Sequence, residues 1–252
     1  MRKRIVSKSK RRIIALSVLF FLLLISVIGC ELIYYSADET ALQYMESDEA
    51  VSVTETAYGW LFDGPSEDTA WIFYPGAGVE ETAYAPLLHS LAEQGMDVCL
   101  MKLPLRMASF KEDAAEAALQ AHDYSRWYIG GHSLGGVIAA SYAVEHADAF
   151  SGVILLASYP IKQLPDTLTE LLLVGSEDHV INRNSLQKAR KYAPEHYVEY
   201  VMEGGNHAQF GSYGKQLGDG AAEISAEDQV RETVRAILDH LEADPQESEE
   251  AA

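Results

Sequence analysis

A serine flanked by glycines is the first group in the sequence that could carry out chemistry. Ser133 lies in Gly131-His132-Ser133-Leu134-Gly135, which follows the apolar run WYIG and precedes the helix-like run LGGVIAASYAVEH. A sharp turn from strand to helix, crowded by small residues, is the setting of a nucleophile elbow. The alternative is a glycine-rich turn with a solvated serine. Its position between strand and helix favours a nucleophilic Ser133.

A serine hydroxyl is a poor nucleophile unless a base removes its proton, and histidine is the usual base. Of the eight histidines, His207 lies in the sequence EGGNH, just after the last apolar strand-like run. The glycines ahead of it permit a loop that brings the ring back over the edge of the sheet. His132 adjoins the serine, but its side chain should point away from Ser133. We therefore expect His207 to be the base.

A carboxylate must hold the histidine in the correct tautomer and stabilise the imidazolium. Asp178 follows the buried-strand pattern Leu171–Gly175 after a short turn. The carboxyl ends of strands are where the sites of open α/β sheets gather. Glu177 and Asp166 are competing carboxylates, and the short turn after the strand favours Asp178.

Acyl transfer also needs donors for the negative charge that develops on the carbonyl oxygen. Pro75-Gly76-Ala77-Gly78 follows the apolar run WIFY, and its glycines can expose backbone N–H groups. We expect the N–H groups of Ala77 and Leu134 to form an oxyanion hole, with a plain strand-to-helix turn as the alternative. In the loop after the histidine, Phe210 and Tyr213 are candidates to shape a substrate pocket.

Alternating strand-like and helix-like runs must position these residues. Strands are predicted at Ala70–Tyr74, Asp97–Lys102, Trp127–Gly130, Gly152–Ala157, Leu171–Gly175 and Tyr197–Met202. Helices are predicted at Thr82–Gln94, Lys111–His122, Leu134–Glu145, Asn184–Lys191 and Ser225–Leu241. This α/β alternation predicts a mostly parallel central sheet with helices on both faces. Ahead of it, VSVTET and GWLF predict an antiparallel hairpin.

The connection after the fourth of these strands bears on access to the serine. Residues 158–170 (SYPIKQLPDTLTE) contain two prolines and leave little room for a helical cap. We therefore expect a minimal lid or none, and an open site that prefers small acyl esters.

The net charge of −19 conceals a basic N-terminus. Residues 1–12 hold seven basic residues and no acidic ones, and the remaining chain is strongly acidic. An acidic domain lacks the basic footprint of a nucleic-acid-binding protein. Cys30 and Cys99 are too few for a disulfide framework.

A long uncharged segment follows the basic residues. Residues 13–30 contain no charged side chain, and as a helix they would extend about 27 Å, close to the roughly 30 Å of a bilayer core. Tyr34 and Tyr35 then suit its outer interface. The basic end predicts a single-pass anchor with a cytoplasmic N-terminus and an extracytoplasmic domain. The alternatives are a cleaved secretory signal and a bacterial lipoprotein signal with Cys30 as the lipidated residue.

We therefore divide the chain into five parts. These are a basic cytoplasmic N-terminus (1–12), a transmembrane segment (13–35), a juxtamembrane spacer with a short helix (36–50), a catalytic domain (51–243) and a disordered acidic tail (244–252). The chemistry-bearing pattern lies beyond Val51, so we expect a chain that starts near Ala37 to be active.

The sequence resembles the α/β-hydrolase superfamily and, within it, the group called alpha/beta hydrolase fold-5, which is related to dienelactone hydrolases. The resembling stretches are YPGAGVEETAYAPLLHSLAEQGMDV, MKLPLRMASF, WYIGGHSLGG, VGSEDHVI and GGNHAQFGSYGKQLGDG. The resemblance implies an α/β-hydrolase fold with Ser133 as nucleophile, Asp178 as acid and His207 as base. It also implies a bacterial single-pass membrane protein.

Two departures limit what the resemblance implies. The dienelactone relatives have cysteine where this chain has Ser133, so their substrate does not carry over. Many hydrolases have His-Gly where this chain has Tyr-Pro-Gly, which weakens the assignment of Ala77.

These patterns together predict a membrane-anchored, extracytoplasmic serine hydrolase. It would cleave a small ester-like acyl substrate through an acyl-enzyme on Ser133, without a metal or an organic cofactor. The alternatives are an acyltransferase and a non-catalytic envelope binding module on the same fold. A binding module has no reason to retain serine, acid and histidine together.

Overall fold

The structure is a computed structural model that describes residues 12, 16–21, 34–65 and 68–243. The chain divides into two units, residues 1–34 and residues 35–252. Most of the predicted cytoplasmic N-terminus and transmembrane segment, and the whole predicted acidic tail, lie outside the described residues. No helix within the described ranges is both long enough and apolar enough to cross a membrane.

The second unit is built on one eight-stranded sheet. The strands are β1 Ser52–Glu55, β2 Gly59–Asp63, β3 Thr69–Tyr74, β4 Asp97–Met101, β5 Arg126–His132, β6 Gly152–Leu156, β7 Thr169–Gly175 and β8 Tyr197–Met202. Their order across the sheet is β1-β2-β4-β3-β5-β6-β7-β8. Strand β2 pairs antiparallel with β1 and β4, and the other neighbouring pairs are parallel. The predicted hairpin and mostly parallel sheet are confirmed.

Six α-helices of the second unit precede, connect or follow its strands within the described residues. They are α1 Glu39–Gln43, α2 Ala85–Glu93, α3 Ala115–Ala121, α4 Leu134–Glu145, α5 Arg183–Ala189 and α6 Ala226–Glu242. The helix predicted from Lys111 begins only at Ala115, because Lys111 ends a 3-10 turn with a non-helical backbone (φ −155°, ψ 72°). The predicted alternation of strands and helices is otherwise confirmed.

Strand β3 shows why helices cover both faces of the sheet. All of its residues are buried. Trp71 and Phe73 pack in the cluster that contains α2 and α6, whereas Ala70, Ile72 and Tyr74 pack in the cluster that contains α3 and α4. Successive side chains of a strand point to opposite faces, so a strand that is apolar throughout needs cover on both sides.

Residues 35–50, predicted as the end of the membrane segment and a spacer, belong to the second unit. Tyr35 forms a parallel bridge with Val79. Helix α1 is capped by Asp38, whose side chain accepts a hydrogen bond from the N–H of Ala41. Ala41 is fully buried, and Tyr35, Ala37 and Met45 are partly buried against the hydrophobic core.

A carboxyl group is buried near the start of β7. Glu170 has no exposed surface, and neither of its side-chain oxygens has a hydrogen-bond partner among the described residues. Burial, followed by repulsion from Glu199, raises the pKa of Glu170 from its ordinary 4.5 to about 8. The folded protein therefore holds a proton on Glu170 over a pH range in which the unfolded chain has lost it.

We expect Glu170→Gln to stabilise the protein increasingly as the pH rises from 5 to 9. Because the folded-state pKa is raised, the native protein loses stability between the unfolded and folded pKa values, and glutamine removes this loss. The gain should be small at pH 5 and about 2–4 kcal/mol at pH 9. Urea unfolding at both pH values measures it, with the exposed Glu195→Gln as control. A gain that does not change with pH would contradict the assignment.

Candidate active site

The predicted site residues follow strands that run in the same direction. Ser133 comes directly after β5, Asp178 follows β7 and His207 follows β8. The turn at residues 75–78 follows β3, which pairs with β5 in parallel register. Because the carboxyl ends of parallel strands share one edge, this edge is the candidate active site.

Ser133 occupies a strained turn between β5 and α4. Its backbone has φ 53° and ψ −127°, a region that non-glycine residues rarely adopt and that costs about 1–3 kcal/mol. The Ser133 N–H donates to the Leu156 carbonyl at 2.9 Å, and the Ser158 hydroxyl donates to the Ser133 carbonyl at 2.8 Å. A Cβ at Gly135 would collide with the Pro75 carbonyl. The glycines of the motif are therefore required by close packing of the backbone.

Other strained residues lie at the same edge. Among the described residues, the non-glycine residues with positive φ are Leu105, Arg106, Ser133 and Ala157. They follow β4, β5 and β6, and such conformations persist only where the surrounding structure holds them. The Arg106 carbonyl accepts a hydrogen bond from the Gly78 N–H at 2.9 Å. The strained loop after β4 thus supports the turn after β3.

A buried hydrogen bond joins the predicted base and acid. His207 Nδ1 lies 2.8 Å from Asp178 Oδ2, and both side chains are almost completely buried. Asp178 Oδ1 accepts hydrogen bonds from the N–H groups of Val180 and Ile181 at 2.9 and 2.8 Å. The carboxylate is therefore fixed at both oxygens. In the neutral ring this bond assigns the proton to Nδ1 and leaves Nε2 able to accept one.

The competing carboxylates have other partners. Glu177 accepts a hydrogen bond from the Ser176 hydroxyl at 3.2 Å. Asp166 accepts one from the Glu195 N–H at 2.9 Å. The structure therefore joins Asp178, and neither competitor, to His207.

The turn after β3 leaves one N–H group available in its centre. The Gly76 N–H donates to the Tyr84 hydroxyl at 3.0 Å, and the Gly78 N–H donates to a backbone carbonyl. In the described part of the chain, the N–H groups of Ala77 and Leu134 donate no hydrogen bond. Both predicted oxyanion donors are thus free to bind a ligand oxygen.

His132 links this turn to the elbow, a role that no sequence pattern marks. Its Nδ1 lies 2.9 Å from the Tyr84 hydroxyl, which accepts a hydrogen bond from the Gly76 N–H. The His132 ring centroid lies 4.5 Å from that of His207. Burial, and next repulsion from His207, lower the pKa of His132 well below its ordinary value. The His207 backbone opposes this shift, although His132 Nε2 makes no hydrogen bond of normal geometry. These surroundings favour the neutral form of the His132 ring.

The structure places Phe210 and Tyr213 differently from the sequence expectation of pocket walls. Both side chains are buried in the hydrophobic core. Phe210 lies 5.9 Å from the His132 ring, and Tyr213 lies 6.4 Å from the Tyr84 ring. Phe210 ends a 3-10 turn at Ala208–Phe210.

No helical cap arises from the connection between β6 and β7. Residues 157–168 are all described, and none of them is helical. Ser133 is partly exposed and Ala77 is exposed. Within the described ranges, no group of three His, Cys, Asp or Glu side chains is arranged to hold a metal ion.

Comparison with protein families gives one match that covers more than half of the chain. Residues 70–231 match the model of the alpha/beta hydrolase family. The matched region includes Ser133, Asp178 and His207. No curated protein matches the sequence.

Solved structures resemble the domain at low sequence identity. A membrane phospholipase A described as a novel bacterial virulence factor is 12% identical, with TM-score 0.57 over 90% of this chain and 95% of that chain. TT1662 from Thermus thermophilus is 16% identical, with TM-score 0.53 over 76% and 98%. A soluble variant of monoglyceride lipase from Saccharomyces cerevisiae is 10% identical, with TM-score 0.53 over 78% and 96%. At these identities the likeness shows the fold alone.

We expect Tyr84→Phe to lower the free energy of unfolding by about 1–3 kcal/mol. The substitution leaves the buried Gly76 N–H and His132 Nδ1 without the hydroxyl that joins them. Urea unfolding measures the loss. Tyr44→Phe is the control, because Tyr44 is partly exposed at 39%, and its effect should stay within about 0.5 kcal/mol. Equal effects of the two substitutions would refute the structural role of the Tyr84 hydroxyl.

Proposed function

The chain belongs to the alpha/beta hydrolase family, and on this premise we propose that it is a serine hydrolase that cleaves a small ester-like acyl substrate. The observation that carries the proposal is the 2.8 Å hydrogen bond between His207 Nδ1 and Asp178 Oδ2. It lies at the sheet edge where Ser133 occupies its strained turn. A buried carboxylate in this position fixes the tautomer that a general base needs.

These groups can carry out the acylation of Ser133. Nε2 of His207 takes the proton from Ser133 Oγ as that oxygen attacks the carbonyl carbon of the substrate. The N–H groups of Ala77 and Leu134 donate to the oxygen that becomes negative, and their lack of other partners supports this role. The C–O bond to the leaving group then breaks. The alcohol departs with the proton from His207, and the acyl group remains on Ser133.

Deacylation uses the same groups with water. His207 removes a proton from water, whose oxygen attacks the acyl carbon and forms a second tetrahedral intermediate. Collapse of this intermediate returns the proton to Ser133 Oγ and releases the acid. Asp178 stabilises the imidazolium that forms in both halves of the reaction.

The proposed preference for small substrates rests on the shape of the edge. The connection between β6 and β7 has no helix to cover Ser133, and Phe210 and Tyr213 are buried. Long acyl chains would therefore find little apolar surface to bury, and burial of such surface is what makes long chains bind tightly.

We also propose that the N-terminus anchors the domain to a membrane. The uncharged residues 13–30 and the basic residues before them support a single-pass anchor, with the hydrolase domain outside the cytoplasm. Lipidation of Cys30 is the alternative attachment. The acidic domain argues against a nucleic-acid partner.

Labelling with a fluorophosphonate tests the nucleophile. Wild-type protein should react at Ser133, and Ser133→Ala should abolish labelling and lower kcat by about 10⁴-fold or more, since triad members act as a unit. Ser141→Ala is the matched control, because the Ser141 hydroxyl bonds to a carbonyl within α4. Unlabelled wild-type protein would favour the binding module, and labelling that survives Ser133→Ala would show another nucleophile.

A series of p-nitrophenyl esters of increasing acyl length tests the substrate class. We expect kcat/KM to be highest for short acyl chains and to show no jump at a lipid interface, because no cap shelters a long chain. The Ser133→Ala protein supplies the background rate. A preference for chains of about twelve carbons, which would bury roughly 0.8 kcal/mol per CH₂, would contradict the open site.

A further inference from the structure

The segment before α1 bonds to two loops of the candidate site. We call residues 35–38 the strap. The Tyr35 N–H donates to the Gly78 carbonyl at 2.8 Å, and the Glu80 N–H donates to the Tyr35 carbonyl at 2.9 Å. The Tyr35 hydroxyl accepts a hydrogen bond from the Leu217 N–H at 3.1 Å. One residue thus holds both the turn after β3 and the loop that follows His207.

The other strap contacts reach the same two loops. The Ala37 N–H donates to the Glu80 side chain at 3.0 Å, and the Asp38 N–H donates to the Ser212 carbonyl at 2.9 Å. The Tyr35 ring lies 5.5 Å from the ring of Tyr213. The strap therefore joins the two loops through several bonds.

The loop after His207 is weakly packed around Leu217. Leu217 is 92% exposed, and Gly214 and Gly218 have positive φ. The loop is connected to the base through Asp219, whose side chain accepts a hydrogen bond from the Ala208 N–H at 2.9 Å. A restraint on Leu217 therefore also limits movement next to His207.

The strap completes the support of the turn that carries Ala77. The Gly76 N–H is held by Tyr84 and the Gly78 N–H by the loop after β4. Tyr35 holds the Gly78 carbonyl. Ala77 lies between these fixed groups with its N–H available, and preorganised donors of this kind stabilise developing charge best.

We propose that Tyr35 is a positioning residue that holds the Ala77 N–H and the loop after His207 in their catalytic arrangement. The proposal rests on the proposed function. The strap precedes residues 70–231, the region that matches the family. The sequence expectation that a chain starting near Ala37 is active stays a prediction, and such a chain would lack the Tyr35 contacts.

Loss of the Tyr35 side chain should weaken binding of the transition state more than binding of the substrate. Oxyanion donors bind the tetrahedral intermediate more strongly than the substrate, so their displacement lowers kcat and leaves KM nearly unchanged. A variant that is merely unstable would instead contain fewer functional sites, each with normal kcat. Counting the sites with fluorophosphonate separates these cases.

The experiment uses full-length Tyr35→Ala, Tyr35→Phe and the control Tyr44→Ala with a short-chain p-nitrophenyl ester. We expect Tyr35→Ala to lower kcat per labelled site at least tenfold, with KM within twofold. Its inhibition constant for phenylboronic acid, which forms a tetrahedral adduct with serine, should rise by a similar factor. Both variants keep the backbone hydrogen bonds of residue 35. Tyr35→Phe also keeps the ring beside Tyr213 and loses only the bond to the Leu217 N–H, so its kcat per labelled site should fall less, by about threefold. Tyr44→Ala should have a kcat per labelled site within twofold of the wild-type value.

Several outcomes would overturn the proposal. They are an unchanged kcat per site in Tyr35→Ala, an equal loss in Tyr44→Ala, or a lower kcat with unchanged boronate inhibition. If Tyr35→Ala does not fold, Tyr35→Phe decides, and an unchanged kcat per site then refutes the role. Wild-type protein that neither reacts with fluorophosphonate nor hydrolyses the ester would refute the proposed function instead.

Discussion

Parallel pairing of β3, β5, β6, β7 and β8 is the constraint on which the rest of the structure depends. The register places Tyr74 beside Gly131 and Gly175 beside Met202. Consequently the turns that follow these strands meet at one edge, although they are far apart in sequence. Burial of both sheet faces holds the strands in that register, because a slip of one residue would exchange the side chains between the faces.

The sheet brings the candidate residues to one edge, and backbone hydrogen bonds then orient them. Asp178 is fixed by two N–H groups, and Ser133 by bonds at both its N–H and its carbonyl. In the turn after β3, every neighbour of Ala77 with an N–H is engaged by Tyr84 or Arg106. The availability of the central N–H is therefore a property of the surrounding bonds.

The extent to which the sequence predicted this arrangement depends on the range of the contacts. Strand β8 and helix α4 have the predicted bounds because local periodicity and the glycine motif define them. The contact of Asp178 with His207 could be anticipated, since both follow strands of one parallel sheet. The bond between Tyr84 and His132 could not, because it joins side chains 48 residues apart without any repeating pattern. The inward packing of Phe210 could not be predicted for the same reason: no repeating pattern in the sequence marks it.

The bond between Tyr35 and Leu217 has a consequence for the order in which the protein is made. Its two residues are 182 positions apart, and a ribosome that adds about 5–20 residues per second needs roughly 10–35 s to cover that distance. Tyr35 leaves the ribosome early, and β3, β5 and the elbow that follows β5 are all made before Leu217. Assembly of the site therefore ends only after Leu217 has been made, and a nascent chain can present Ser133 before it holds the loop beside His207.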